Sequence, residues 1–356
     1  MKKIFILFIF LLLTPFLKAQ DASGTGSLIQ GGLEDGNKLV KAYLAPLNKA
    51  ILFGLGQQNY QGFRANDNHK WTFGIQSILL LAPPEEKVYD VNALGLQTLE
   101  ASDPHHSIAQ TVLGDSTKYI YIQSKKRDLL GRPLFKFKSP KGYGYPGVAV
   151  PYLNLSRRGT FSTYSIGFIP PAPVPTTGLT VYMLKVAMQW NLGGLLGLLN
   201  PEKTEWVVNF NYAYGHGYDK LNVKPGNVYT TVTVSGHLAG PYDNQKLLID
   251  YHSIGLSSYL VGHLSEKWRL FAGGGMTGGI SSIRMIGRYP IYKSDASGTF
   301  AIVAEDVDDP LNITTSAAQW FVEGGIRAEW KRFYLQLQGD YGLYYGGGLQ
   351  LGYKFK

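Results

Sequence analysis

The residue types able to do chemistry are few in this chain, and their spacing does not suit it. Two adjacent histidines stand in Ser102-Asp103-Pro104-His105-His106-Ser107. Two metal ligands on one helix face need a spacing of i and i+4, and no thiol assists because Cys is absent. A hydrolase would need a Ser, a His and an orienting acid or amide. His252, His263 and Ser253 or Ser257 supply the types, but no nucleophile motif frames either serine. The glycine groups at 273–275, 278–279 and 346–348 are not followed by Gly-Lys-Ser/Thr or by a strand-to-helix turn, so they are no phosphate loop. Within strands they mark kinks or close approaches. The chain therefore reads as a non-enzyme with no metal and no cofactor.

The informative polar residues are those that recur with a fixed parity. Phe333, Leu335 and Leu337 interleave with Gln336, Gln338 and Asp340; Tyr345, Leu349, Leu351, Tyr353 and Phe355 interleave with Gln350 and Lys354. A period of two is the strand period, and it gives each strand one greasy and one wet face. Tyr182 to Trp190 and Trp206 to Tyr214 repeat the pattern with Gln189 and Asn209 on the wet side. In 320–330, Val322 and Ile326 oppose Glu323 and Arg327. In an outer-membrane barrel these faces meet lipid and lumen. Gln189, Asn209, Glu323, Arg327, Gln336 and Asp340 are thus expected to face the lumen. Further strands are expected at 69–82, 228–234, 247–262 and 268–281, with weaker ones at 118–123 and 134–138. The runs are longer than the 5 to 6 residues or so usual in a soluble sandwich. Firm and doubtful strands together predict an all-β, transmembrane antiparallel barrel of about 12 to 14 strands. Residues 264–267 and 331–332 read as short hairpin links, 288–316 as a long polar loop, and the prolines at 170, 171, 173 and 175 as a loop or broken edge.

One segment has a different period. Leu39, Tyr43, Leu47 and Ile51 recur every four residues with Val40, Leu44 and Ala50 beside them, while Lys38, Lys41, Asn48 and Lys49 lie opposite. That is an amphipathic helix over 33–55, with acids Glu34 and Asp35 at its start and Pro46 predicting a kink or break. A barrel too wide for its own side chains to fill needs something inside it, so the helix is the expected plug. Leu39, Val40, Tyr43, Leu44, Leu47 and Ile51 become the candidate gate or ligand-binding residues.

The chain starts with Met1-Lys2-Lys3, an apolar core over 4–16 and small Ala19 before Gln20, which reads as a cleaved signal peptide. The division expected is signal peptide 1–19, lead-in and plug helix 20–65, and barrel 66–356. Only the signal is apolar enough to be a membrane helix. The 24 Tyr and 43 Gly suit interfacial girdles and tight turns. The formal charge of +9 falls to +6 once Lys2, Lys3 and Lys18 leave with the signal, and the basic stretch at 125–141 has the spacing of a solvated surface, so nucleic acid is not expected as a partner.

The segment Leu33-Glu34-Asp35-Gly36-Asn37-Lys38-Leu39-Val40-Lys41-Ala42-Tyr43-Leu44-Ala45-Pro46-Leu47, the strand ending in Ala82-Pro83-Pro84 and the terminal Gly352-Tyr353-Lys354-Phe355 resemble an uncharacterised family of Bacteroidota outer-membrane barrels. That family is similar in layout to the long-chain fatty acid transporters, which implies an N-terminal helical plug in a barrel of about 14 strands. Lys356 departs from the pattern by following the terminal aromatic Phe355. The resemblance implies a Gram-negative outer-membrane location more than a cargo. The partners expected are membrane lipid, a hydrophobic small molecule, and the barrel-assembly machinery through the C-terminal strand. Function is expected to be passive uptake of a hydrophobic or amphipathic solute through a helix-gated lumen. The alternative is a permanently plugged barrel with a structural or surface-interaction role.

Overall fold

A computed structural model describes residues 33–62, 70–134, 136–173, 180–200, 203–221, 241–242, 244–294 and 301–355. The signal, the lead-in and the strand expected at 228–234 lie outside these residues. In chain order the elements are helix α1 (Leu33–Gly56), β1 (Trp71–Leu81), β2 (Val88–Asp90), β3 (Leu99–Ala101), β4 (Ile108–Gln110), β5 (Tyr121–Ser124), β6 (Lys136–Lys138), β7 (Gly147–Arg158), β8 (Ser162–Pro173) and β9 (Thr180–Asn191). A short helix α2 (Leu192–Leu195) precedes β10 (Thr204–Lys220), β11 (Lys246–His263), β12 (Trp268–Ile286), β13 (Arg288–Ser294), β14 (Ala301–Asp308), β15 (Leu311–Trp330), β16 (Phe333–Gly342) and β17 (Tyr345–Phe355).

Ten of these strands close into one antiparallel barrel in the order β1-β17-β16-β15-β12-β11-β10-β9-β8-β7. The first and last strands seal it, in a register running from Trp71↔Phe355 to Leu81↔Tyr345. The expected 12 to 14 strands are thereby corrected to ten. The short strands at 121–124 and 136–138 do alternate, but they join a separate three-stranded sheet, β3-β5-β6, beside the pair β2-β4. The expected long loop at 288–316 is a β13/β14 hairpin followed by the start of the 20-residue β15. At Pro170 and Pro171 the strand continues, with a register shift between Ile169 and Ala172.

Parity sorts the wall as lipid and lumen require. On β15, Trp320, Val322 and Trp330 point outward, while Phe321, Glu323, Arg327 and Glu329 are buried. Trp320 to Trp330 spans about 33 Å of strand at ~3.3 Å per residue, or ~25 Å of height at a tilt of ~40°, the thickness of an outer-membrane apolar band. Beyond Trp320 the outward residues become Ala318, Ser316, Thr314 and Asn312, so the strand continues above the hydrocarbon. The links at 159–161, 264–267 and 331–332 are short and share one rim with the α2 connection. The opposite rim carries 82–146 and the β13/β14 hairpin. Short turns mark the periplasmic side of such barrels.

Helix α1 runs down the lumen from the long-loop rim. Near its start, Asn37 Nδ2 donates to Pro310 O (3.4 Å), Asn312 N donates to Asn37 Oδ1 (3.3 Å) and Lys38 donates to Gly95 O (3.0 Å). A ten-stranded barrel at this tilt has a backbone diameter of about 20 Å and a helix with side chains needs about 10 to 12 Å, so only short wall side chains fit alongside. The wall supplies them: Ala213, Ser253, Thr277 and Ala317 face the helix, and a Cβ on Gly255 would overlap the Gly56 carbonyl oxygen. Pro46 sits inside the helix without breaking it. Packing on both flanks overrides the local penalty. Burial of Leu39, Val40, Tyr43, Leu52, Phe53 and Leu55 contributes on the order of 10 kcal/mol, before the entropy of ordering the segment is subtracted.

Residues 82–146 form a cap over the long-loop mouth. Val91, Leu96, Leu99, Ala109 and Ile122 make one apolar cluster with Leu39 and Val40 of the helix and Ile283, Leu311 and Ile313 of the wall. The cap is thus packed on helix and barrel together.

Candidate functional site

The six residues of the helical stripe divide between two environments. Leu39 and Val40 are enclosed by the cap cluster. Tyr43 is buried and its hydroxyl donates to Lys141 O at 2.9 Å, and burial pushes that hydroxyl's pKa up. Leu44, Leu47 and Ile51 stay half-buried. They pack on a cluster that also holds Ile169, Tyr251 and the rings of Tyr143 and Tyr145, stacked at 5.8 Å.

The helix start is held by a carboxylate. Asp35, 2% exposed, accepts from Gln97 N (2.8 Å), Thr98 N (2.7 Å), Thr98 Oγ1 (2.7 Å) and Leu99 N (3.0 Å). Burial alone would raise its pKa, but these donors outweigh burial and hold it below the usual carboxylate value. Lower down, Lys49 pairs with Glu86 (2.6 Å) and the Tyr344 hydroxyl donates to Pro46 O (3.1 Å). Asn211 Nδ2 donates to Gly56 O (2.8 Å), Ser253 Oγ donates to Leu52 O (2.7 Å), and Lys185 reaches Gln57 O.

Below the helix, residues 57–62 lie buried without regular secondary structure, and wall amides bond their backbone. Gln189, fully buried, accepts from Gln61 N (3.0 Å) and donates to Asn59 O (3.1 Å). The Gln336 amide, oriented to satisfy both its ends, donates to Tyr60 O (2.8 Å) and accepts from Tyr60 N (3.3 Å). Gln61 Oε1 receives Asn154, Ser156 and Gln350 at 3.1 to 3.3 Å. Asn209 donates to Ser257 Oγ (3.2 Å). Gln338 Nε2 bridges Glu323 (3.1 Å) and Asp340 (3.3 Å). The Arg327 guanidinium lies 3.8 Å from the centre of the Tyr334 ring and bonds Glu329 at 2.8 Å.

Sequence reasoning missed the lumen-filling segment 57–62 and the latch at Asp35. The run Gln57-Gln58-Asn59-Tyr60-Gln61 was a usable signal, since four amides in five residues after an apolar helix need many partners. The hydrolase elements do not meet. Ser253 bonds two carbonyls, Ser257 bonds Tyr259, His252 bonds Tyr212 (2.8 Å) and His263 bonds Glu205 (2.6 Å). His106 bonds Asp103 in an exposed turn. Among the described residues no three His, Cys, Asp or Glu side chains gather as a metal site.

No curated protein sequence matches the chain. Solved barrels resemble it weakly. OmpT, the outer membrane protease from Escherichia coli, shares 6% identity at a TM-score of 0.31, covering 83% of this chain and 99% of its own. Ail, the attachment invasion locus protein of Yersinia pestis, shares 9% at 0.26, covering 80% and 98%. A Pseudomonas aeruginosa FadL homologue shares 9% at 0.22, covering 96% and 99%. Likenesses this distant carry no argument about function. A family model matches residues 1–355, and the chain, a closed ten-stranded barrel with α1 in its lumen, belongs to that family, described as "Family of unknown function (DUF6588)".

Proposed function

We propose that the protein captures a hydrophobic or amphipathic small molecule at its long-loop mouth and passes it inward when α1 shifts in the lumen. The asymmetry of the helix supports this reading. One side is sealed by Leu39, Val40, Leu52 and Phe53, whereas Leu44, Leu47 and Ile51 remain half-buried beside tyrosines of the cap and wall. An apolar surface left partly open in a polar lumen favours an apolar occupant. At rest the path is closed by 57–62, so passage requires bonds to Gln189 and Gln336 to open. The test is binding and vesicle uptake of a fluorescent fatty-acid probe by the wild type and by Leu44→Asp/Leu47→Asp. Saturable binding and uptake that the double variant loses supports the proposal; equal signal from both chains overturns it.

A second reading, a permanent plug with a surface-interaction role, is favoured by the Asp35 latch. Four hydrogen bonds to one buried carboxylate resist helix movement. The same experiment separates the two, because a permanent plug gives no uptake in either chain.

A further inference from the structure

The charge of the molecule gathers in one hairpin of the cap. Between Asp115 and Lys141 eight Lys and Arg stand against two Asp, a surplus of six, which is the entire formal surplus of residues 20–356. The rest of that span sums to neutrality. Most of these cations sit on β5, β6 and their connection, where Tyr121 pairs with Lys138 and Gln123 with Lys136. Lys118, Arg127 and Arg132 meet the carboxylates of Asp115, Glu100 and Asp128. Lys136, Lys138 and Lys141 lie instead over the rings of Tyr121 and Tyr119, at 4.5, 4.7 and 5.5 Å from the ring centres. Lys126, Lys136 and Lys138 are exposed, so an anion outside the protein can reach them.

The tip of the hairpin has the opposite chemistry. Leu129 is fully exposed and Leu130 75% exposed. The turn is built to hold them out: Asp128 Oδ1 accepts from Leu130 N (2.9 Å) and Arg132 N (2.8 Å), its Oδ2 accepts from Arg132 Nε (3.0 Å), and Gly131 takes φ +75°. The hairpin also points outward. The Tyr43 hydroxyl meets Lys141 O, whereas Asp35, about 12 Å nearer the helix start, meets Thr98 and Leu99, and Leu99 pairs with Ser124. From Tyr121 to Ser124 the strand therefore runs towards the start of α1 at the long-loop rim, and the turn beyond Ser124 projects away from the barrel's own bilayer.

We infer that the β5/β6 hairpin docks onto an anionic lipid surface facing the cell, such as a vesicle or a neighbouring membrane. Two exposed leucines gain by leaving water, and the lysines beside them gain by meeting phosphate. A lipid surface answers both at once, with acyl chains for the tip and headgroups for the cations. A soluble polyanion answers the lysines alone and leaves the leucines in water. The docking rests on neither reading of α1, because the hairpin lies outside the lumen.

The test holds the full chain in nanodiscs of phosphatidylcholine, so that the barrel cannot enter a second bilayer, and measures co-sedimentation with sucrose-loaded vesicles. Vesicles containing phosphatidylglycerol should bind the discs, more weakly as salt rises, and vesicles of phosphatidylcholine alone should not. Each ammonium at an anionic surface is worth about fivefold in affinity, so Lys126→Gln/Lys136→Gln/Lys138→Gln should weaken binding about 10²-fold. Leu129→Ser/Leu130→Ser should weaken it at least about tenfold with every charge retained. All five positions are exposed, and unchanged circular dichroism confirms that each variant is folded. Equal binding to both kinds of vesicle, or none to either, overturns the inference. So does full affinity in the leucine variant, and a soluble polyphosphate that binds the discs when anionic vesicles do not assigns the lysines to a soluble polyanion and overturns it as well.

Discussion

Replacing Asp35 with Asn tests how the helix is held. In the native chain one carboxylate oxygen takes Gln97 N, and the other takes Thr98 N, Thr98 Oγ1 and Leu99 N. Asn keeps a single oxygen. In its better orientation that oxygen retains three donors as neutral bonds, while the new NH2 group faces the Gln97 N–H. A bond to a charged acceptor contributes about 1.5 to 3 kcal/mol and a neutral one about 0.5 to 1.5, so weakening three bonds and losing the fourth should cost the helix-to-cap contact about 4.5 to 7.5 kcal/mol. Hydrogen exchange of residues 33–40 and 92–101 reads this as local opening, accelerated at least about 10³-fold. The pH arm has a defined sign. The folded pKa of Asp35 lies below its ordinary 3.8, so its contribution is whole above that value and is lost as pH falls through the folded pKa. Wild-type protection should therefore hold from neutral pH down to about pH 4 and fall below it, whereas Asp35→Asn should be insensitive over that range. Exchange in the variant within about threefold of wild type would refute the latch.

Further outcomes follow from the packing. Gly255→Ala should push the end of α1 off the wall, costing about 1 to 3 kcal/mol of helix docking while the barrel still closes, because the added methyl meets the Gly56 carbonyl; limited proteolysis near Gly56 checks it. Leu337→Arg, outward at mid-band and 49% exposed, should cost about 2 to 4 kcal/mol in folding into vesicles. Thr314→Arg, outward but above the band, should cost about 0 to 1 kcal/mol. Equal costs would count against the assigned membrane level. Tyr344→Phe should lose the bond to Pro46 O and about 1 kcal/mol of helix docking, seen as faster exchange around residue 50.

Where one face is greasy and the other wet, the sequence announced the fold: Leu335, Gln336, Leu337 and Gln338 alternate as they stand in β16. The strand count was not legible, for two physical reasons. Tyr121 to Ser124 alternates like a barrel strand but pairs within the cap, and nothing local records the partner. Conversely, the first part of β15 rises above the hydrocarbon, so Asn312, Thr314 and Ser316 are polar on the outside too, and the alternation that marks a membrane strand is absent. The helix was visible from its stripe, and its burial explains why Pro46 does not break it. Residues 57–62 carry no period, because their partners are Gln189 and Gln336, far along the chain. Asp35 looked like a favourable charge at a helix start; its four donors come from a turn about sixty residues on.

The most direct test of a lumen filled by α1 and residues 57–62 is single-channel conductance in planar bilayers, comparing the full barrel with a chain lacking residues 33–62. The ten strands keep every wall hydrogen bond without that segment, so the shortened chain should still close. The predicted result is a silent full-length protein and discrete, uniform conductance steps from the shortened one. Steps of the same size from both, or silence from a shortened chain that is folded and inserted, would contradict a plug inside the barrel.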